Sequence, residues 1–114
     1  MNNNCLFCRI IDKELPSTIV HEDDLILAIH DIHPKAPVHI LVLPKSHINS
    51  LSDTTERDDK VLGQLLSAVR IVAEKTGIAR SGYKVVINNG ADGGQIVPHL
   101  HLHVLGGQNV AGVT

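Results

Sequence analysis

Aromatic side chains are nearly missing from this chain: of 114 residues one is Phe, one is Tyr and none is Trp. Any pocket for a planar ligand must therefore have mostly aliphatic walls. Charge of one sign is missing as well. Ten Lys and Arg stand against 12 Asp and Glu, a net charge of −2. No basic stripe interleaved with aromatics exists, which removes nucleic acid from the expected partners. No apolar run approaches the ~18 residues of a membrane span. The start, Met1-Asn2-Asn3-Asn4, lacks the charged and apolar regions of a signal peptide. The expected setting is the cytoplasm, with no membrane partner. Cysteine is scarce too, only Cys5 and Cys8, and a reducing compartment argues against a structural disulfide between them. Internal repeats, linkers and low-complexity segments are absent.

What remains is an ordinary globular composition, 43% apolar and 19% charged, in a chain long enough for one domain over residues 1–114 with one buried core. Asn4 is placed to cap a short helix running through Asp12. Ile19–Glu22, Leu25–Asp31 and His39–Leu43 read as strands, separated by an acidic turn and by the constrained Pro34–Pro37 connection. Asp53 and Glu56 have capping-pair spacing. From there to Thr76 apolar residues at 61, 62, 65, 66, 69, 72 and 73 draw a helical stripe. Tyr83–Asn89 reads as a fourth strand. The glycine-rich turn Asn89–Gly94 leads into a last strand beginning near Pro98. Strands joined by short turns, with one long helix, predict an α+β domain: an antiparallel sheet of about five strands, the long helix on its apolar face. Residues 108–114 show no periodicity and are expected to be a flexible tail.

The densest signal lies in Pro98-His99-Leu100-His101-Leu102-His103-Val104-Leu105-Gly106-Gly107. Histidine and apolar residues alternate, so a strand would put three imidazoles on one face and Leu100, Leu102 and Val104 on the other. With 8 His in the chain, chance yields such a row only ~0.04 times. Three readings compete. One is a solvated, histidine-rich edge. Another is a metal, but a rise of ~3.3 Å per residue separates the first and third Cα by about 13 Å, too far for one ion to bind all three. The third is a phosphate site between imidazoles about 6.6 Å apart, one neutral as nucleophile and others donating. The third is favoured.

The run His99-Leu100-His101-Leu102-His103-Val104-Leu105 resembles the histidine-triad pattern. Asp92-Gly93-Gly94-Gln95 resembles the loop before the triad in the Hint branch of that superfamily, and the resemblance spans about Cys5 to Gly107. It implies a Hint-type fold and hydrolysis of purine nucleoside 5′-phosphoramidates of the AMP–amine kind. The route would be a covalent nucleotidyl intermediate on His101, with His103 facing the leaving group. His99 completes the triad, and His39 would orient the row unless it is simply a satisfied core histidine. Asn88, Gly94, Gln95 and Ile96 would meet the phosphate. The branch commonly has serine where Ile96 stands, so a hydroxyl contact is lost. Asp31, within Ile29-His30-Asp31-Ile32, would accept from ribose hydroxyls, while Leu6, Phe7, Ile29 and Ile32 match purine-pocket positions. The resemblance also implies a homodimer. Rival activities are a dinucleoside polyphosphate hydrolase and a non-catalytic nucleotide-binding regulator.

A second constellation is Cys5-x-x-Cys8 with His47 and His99. One helical turn brings both sulfurs to one side, and two histidines would complete a tetrahedral structural zinc site, as in some branches of the superfamily. A pair of buried reduced thiols is the alternative. A redox motif fits less well without a βαβ context.

Overall fold

The computed structural model describes residues 4–113; Met1–Asn3 and Thr114, on which the leader and tail expectations partly rest, lie outside them. Five strands form one antiparallel sheet. They are β1 (Ile19–Glu22), β2 (Ile26–His30), β3 (Val38–Pro44), β4 (Tyr83–Val86) and β5 (Leu102–Gly106), in the order β1-β2-β3-β5-β4. Helix α1 (Leu6–Ile11) covers one face and α2 (Asp59–Lys75) the other. This is the α+β architecture expected, an antiparallel sheet with one long and one short helix. Among the described residues no helix is long and apolar enough to cross a membrane.

The period-2 rule explains how the sheet carries two cores. Ile26 and Ala28, Ile40 and Val42, and Leu102 and Val104 point toward Leu65, Val69 and Val72 of α2. The alternate residues Leu27, Ile29, Leu41 and Leu43 meet Phe7, Cys8 and Ile10 of α1. The central strands are buried on both faces, hence their nearly continuous apolar runs.

Four boundaries differ from the sequence reading, each for a local reason. The cap of α1 is Cys5 rather than Asn4, its Sγ accepting from the Cys8 N–H at 3.3 Å. Two single 3₁₀ turns, Leu51–Asp53 and Glu56–Asp58, precede α2. The β-branched pair Thr54-Thr55 takes extended backbone between them, so the capping box is Thr55 with Asp58, not Asp53 with Glu56. β4 ends at Val86 because the next polar side chains take up turn bonds: Asn88 Nδ2 donates to the Gly93 carbonyl, and Asn89 Oδ1 accepts from the Ser52 N–H. The last strand starts at Leu102 rather than Pro98, since the His99 N–H turns back to the Val97 carbonyl and Leu100 N–H pairs with Ile48. Extended alternation nevertheless persists, and Leu100 is buried beside Leu102 and Val104. After Gly107, Val110 packs on Ala36 and Leu105, while Lys84 Nζ donates to the carbonyls of Ala111 and Val113.

Candidate active site

The row of histidines divides into two clusters. His99, 0% exposed, leaves the row to meet α1 and the segment after β3. Its Nδ1 lies 3.3 Å from Cys5 Sγ, 3.7 Å from Cys8 Sγ and 3.2 Å from His47 Nδ1, and the Cys8 and His47 ligand atoms are 3.2 Å apart. The positions of the protons follow from the other ring nitrogens. His99 Nε2 is 2.8 Å from the Pro44 carbonyl, which only accepts, so Nε2 carries the hydrogen. His47 Nε2 likewise donates to Asn49 Oδ1 at 2.6 Å. Two Nδ1 lone pairs therefore face each other at 3.2 Å beside two sulfurs. A cation bound among these four atoms would relieve that repulsion. With Zn–S of about 2.3 Å and Zn–N of about 2.1 Å, a tetrahedral N···S edge is about 3.6 Å, and the observed separations fit. The carbonyl and amide behind each imidazole supply the outer hydrogen bonds typical of metal-bound histidine. Left without a cation, burial pushes the Cys8 thiol up to about 11, with Cys5 adding to the effect, and burial pushes His99 down to about 4 against the Pro44 bond.

His101 and His103 stay together, ring centroids 5.1 Å apart. His101, 7% exposed, donates its Nδ1–H to the His99 carbonyl at 2.7 Å. Its Nε2 is thus the lone-pair nitrogen. The neighbouring ring is set the opposite way. The Lys35 N–H donates to His39 Nδ1 at 3.1 Å, so His39 carries its hydrogen on Nε2 and donates it to His103 Nδ1 at 2.9 Å. His103 is left with Nε2–H. In the register Leu41 faces His103 and Leu105 faces His39, so the two histidines are diagonal neighbours on the α1 face of the sheet. Asp31 Oδ2, 3.4 Å from His39 Nε2, shares that hydrogen, and Asp31 Oδ1 accepts from the His33 N–H. Asp31, His39 and His103 are close enough for a metal, but the hydrogen on His39 Nε2 makes this a proton chain. Burial lowers all three of His39, His101 and His103, the last to about 4, with the neighbouring imidazoles lowering His103 further. All are neutral at pH 7.

The glycine-rich turn before the row is braced from within. Gln95 Nε2 donates to the carbonyls of Asn49 and Val97 at 2.6 and 3.0 Å, and its Oε1 accepts from the Gly90 N–H at 2.9 Å. The side chains of Asn88 and Gln95 therefore shape the loop. Gly94 takes φ +79, a conformation that glycine adopts without a steric penalty. Ile96, where a serine would offer a hydroxyl, is 91% exposed. The positions matched to a purine pocket separate. Leu6, His30 and Ile32 are exposed, Ile32 to 83%, and Asp31 is half-buried, whereas Ile29 and Phe7 sit in the core beneath α1. A cleft of about 950 Å³ between the end of α2, β4 and the tail contains none of these residues.

Three groups that the sequence did not flag complete the site: the Lys35 N–H, the Pro44 carbonyl and Asn49. Two are backbone atoms, which carry no residue-type signal.

Comparison with known proteins agrees with this geometry. The HIT domain model matches residues 12–110. The chain is 41% identical over 108 residues to the purine nucleoside phosphoramidase of Escherichia coli, covering 95% of this chain and 91% of that protein. It is 48% identical over 111 residues to an uncharacterized HIT-like protein of Synechococcus elongatus, covering 97% and 96%. Among solved structures, a HIT family hydrolase from Clostridium thermocellum superposes with a TM-score of 0.94 at 46% identity, covering 97% of this chain and 96% of that one. The family match, these relatives and the histidine geometry agree: the chain belongs to the histidine-triad (HIT) family.

Proposed function

We propose that this protein is a nucleotide hydrolase that cleaves purine nucleoside 5′-phosphoramidates through a nucleotidyl-His101 intermediate. One observation carries the proposal: the partners at the two Nδ1 atoms differ, a carbonyl at His101 and the His39 ring at His103, which assigns adjacent imidazoles opposite proton states at Nε2, a lone pair on His101 and a hydrogen on His103. The His101 lone pair attacks phosphorus while the bond to the amine breaks, and His103 Nε2–H faces the departing nitrogen and assists its protonation. Positive charge developing on the His101 ring is stabilised by its Nδ1–H bond to the His99 carbonyl. Water then attacks the adduct, restoring the proton given to the amine and returning His101 Nε2 to its free state. The braced turn 88–95 supports the phosphate, Asp31 the ribose, and Leu6 and Ile32 the base.

Cys5, Cys8, His47 and His99 would hold a structural Zn²⁺, whose chemistry is to neutralise two thiolates and cross-link α1 to the sheet. We also infer a homodimer: β4 pairs only with β5 among the described strands, Tyr83 and Val85 are exposed along it, and Ile87 is exposed just after it. Sedimentation at twice the chain mass is the expected result.

The test is trapping with adenosine 5′-phosphoramidate labelled in its nucleotide part, quenched in alkaline denaturant because a phosphorus–nitrogen bond to histidine is labile in acid. A phosphorus–nitrogen adduct on His101, absent from His101→Ala, is expected. AMP binding without any turnover in the parent would favour a regulatory binder, and faster turnover of diadenosine polyphosphates would favour the anhydride hydrolase.

A further inference from the structure

Phe7 of α1 lies between Cys5 and Cys8 in the chain, and its ring packs against two histidines of the row. It meets His99 edge-on at 5.8 Å and 83°, and His101 at 5.0 Å and 78°. At 4% exposure, it offers almost no surface to a base, although the resemblance places it in the purine pocket. His99 also faces two ways. Its ring joins the Cys5, Cys8 and His47 cluster, and its carbonyl oxygen receives the 2.7 Å bond from His101 Nδ1–H. Both supports of the His101 ring, an aromatic wall and a hydrogen bond, are therefore anchored in the Cys₂His₂ cluster.

We propose that Phe7 is a positioning residue that, together with the His99 carbonyl, couples the Cys₂His₂ cluster to the orientation of the His101 ring. The inference rests on the reading of His101 as nucleophile for its effect on rate, but not for its effect on the resting ring. An imidazole with one hydrogen bond still rotates about its outer torsion, which is broad. The Phe7 edge, packed against the ring, limits that rotation. Leucine in its place is shorter and leaves space beside the ring. Misplacement of an attacking atom by about 1 Å costs on the order of 10²-fold in rate, so a partial loss of confinement is expected to cost about tenfold or more.

The experiment uses the full chain labelled with ¹⁵N-histidine, as parent and as Phe7→Leu, each reconstituted with Zn²⁺ and each stripped by chelation. Four quantities are read: bound zinc, the exchange rate of the His101 Nδ1–H in NMR spectra, AMP affinity, and the rate of adduct formation by rapid quench. Phe7→Leu with zinc bound is expected to exchange this hydrogen at least about tenfold faster and to form the adduct about tenfold more slowly, with AMP affinity within twofold. Chelated parent should show the same changes, and chelated Phe7→Leu should show little beyond either alone, because both act on one ring. An unchanged Nδ1–H signal in both perturbed states overturns the proposal. So does a loss of AMP affinity matching the loss of rate, which would return Phe7 to the base pocket, and so does failure of the parent to bind zinc. If Phe7→Leu does not fold, chelated against zinc-loaded parent decides. A parent that forms no adduct sinks the nucleophile reading alone, while the hydrogen-exchange comparison still decides this one.

Discussion

Replacing Gly93 by alanine tests whether the turn before the row needs a bare Cα. A Cβ there would lie 2.3 Å from the Asn89 carbonyl oxygen, 2.8 Å from the Asn89 nitrogen and 3.0 Å from its carbonyl carbon. These are backbone atoms, so the overlap cannot be relieved by turning a side chain. Forcing a methyl into a packed site costs about 1–3 kcal/mol. The opening it requires also strains the Asn88–Gly93 and Gly90–Gln95 bonds, at about 1 kcal/mol each. A total of about 3–5 kcal/mol, at a urea dependence of about 1–3 kcal/mol per molar, moves the unfolding midpoint down by about 1 M or more. Gly63→Ala is the control. Its Cβ meets nothing within 4 Å inside α2, and it is expected to stabilise by up to about 1 kcal/mol through helix propensity. Urea unfolding of both variants, run beside phosphoramidate turnover, checks the calculation. A Gly93→Ala midpoint within error of the parent, with undiminished turnover, would refute the steric reasoning and the role given to the turn.

His39→Ala removes the hydrogen that holds His103 as the Nε2–H form; kcat should fall by about 10²-fold with KM within twofold, and a kcat within threefold of the parent would reject the proton chain. Cys5→Ser should reduce zinc from one per chain to near none and lower Tm by about 10 °C, measured by metal analysis and calorimetry; equal metal content in both proteins would remove the zinc site. Stability should also fall with acid before the carboxylates titrate. Burial takes His103 from 6.5 to about 4, so below pH 6.5 the unfolded chain binds a proton the folded chain refuses. The His103 share of the stabilisation is complete above pH 6.5 and is lost toward pH 4, by about 3 kcal/mol at most. Tm measured from pH 7.5 to 5 checks this, and a flat profile counts against it.

Much of the architecture was legible in residue order, because the signals were local. The helical stripe from Val61 to Ala73 predicted α2, and the alternation of Leu100, Leu102 and Val104 predicted a buried face. Where side chains compete with the backbone, local signals misled. The Thr55–Asp58 box displaced the expected helix start, and the Asn88 and Asn89 side chains ended β4 early. The row also did not act as one unit: a strand-like spacing treats His99, His101 and His103 alike, yet only the last lies in β5.

By itself the sequence determined which side chains were available: three alternating imidazoles, a glycine-rich turn before them, and a Cys-x-x-Cys pair with histidines to complete it. Only the tertiary structure decided which hydrogen each imidazole carries, and therefore which ring can attack and which can donate. That assignment depends on the carbonyls of Pro44 and His99 and the N–H of Lys35. Every residue type presents the same backbone atoms, so their effect appears only once the chain has folded around them.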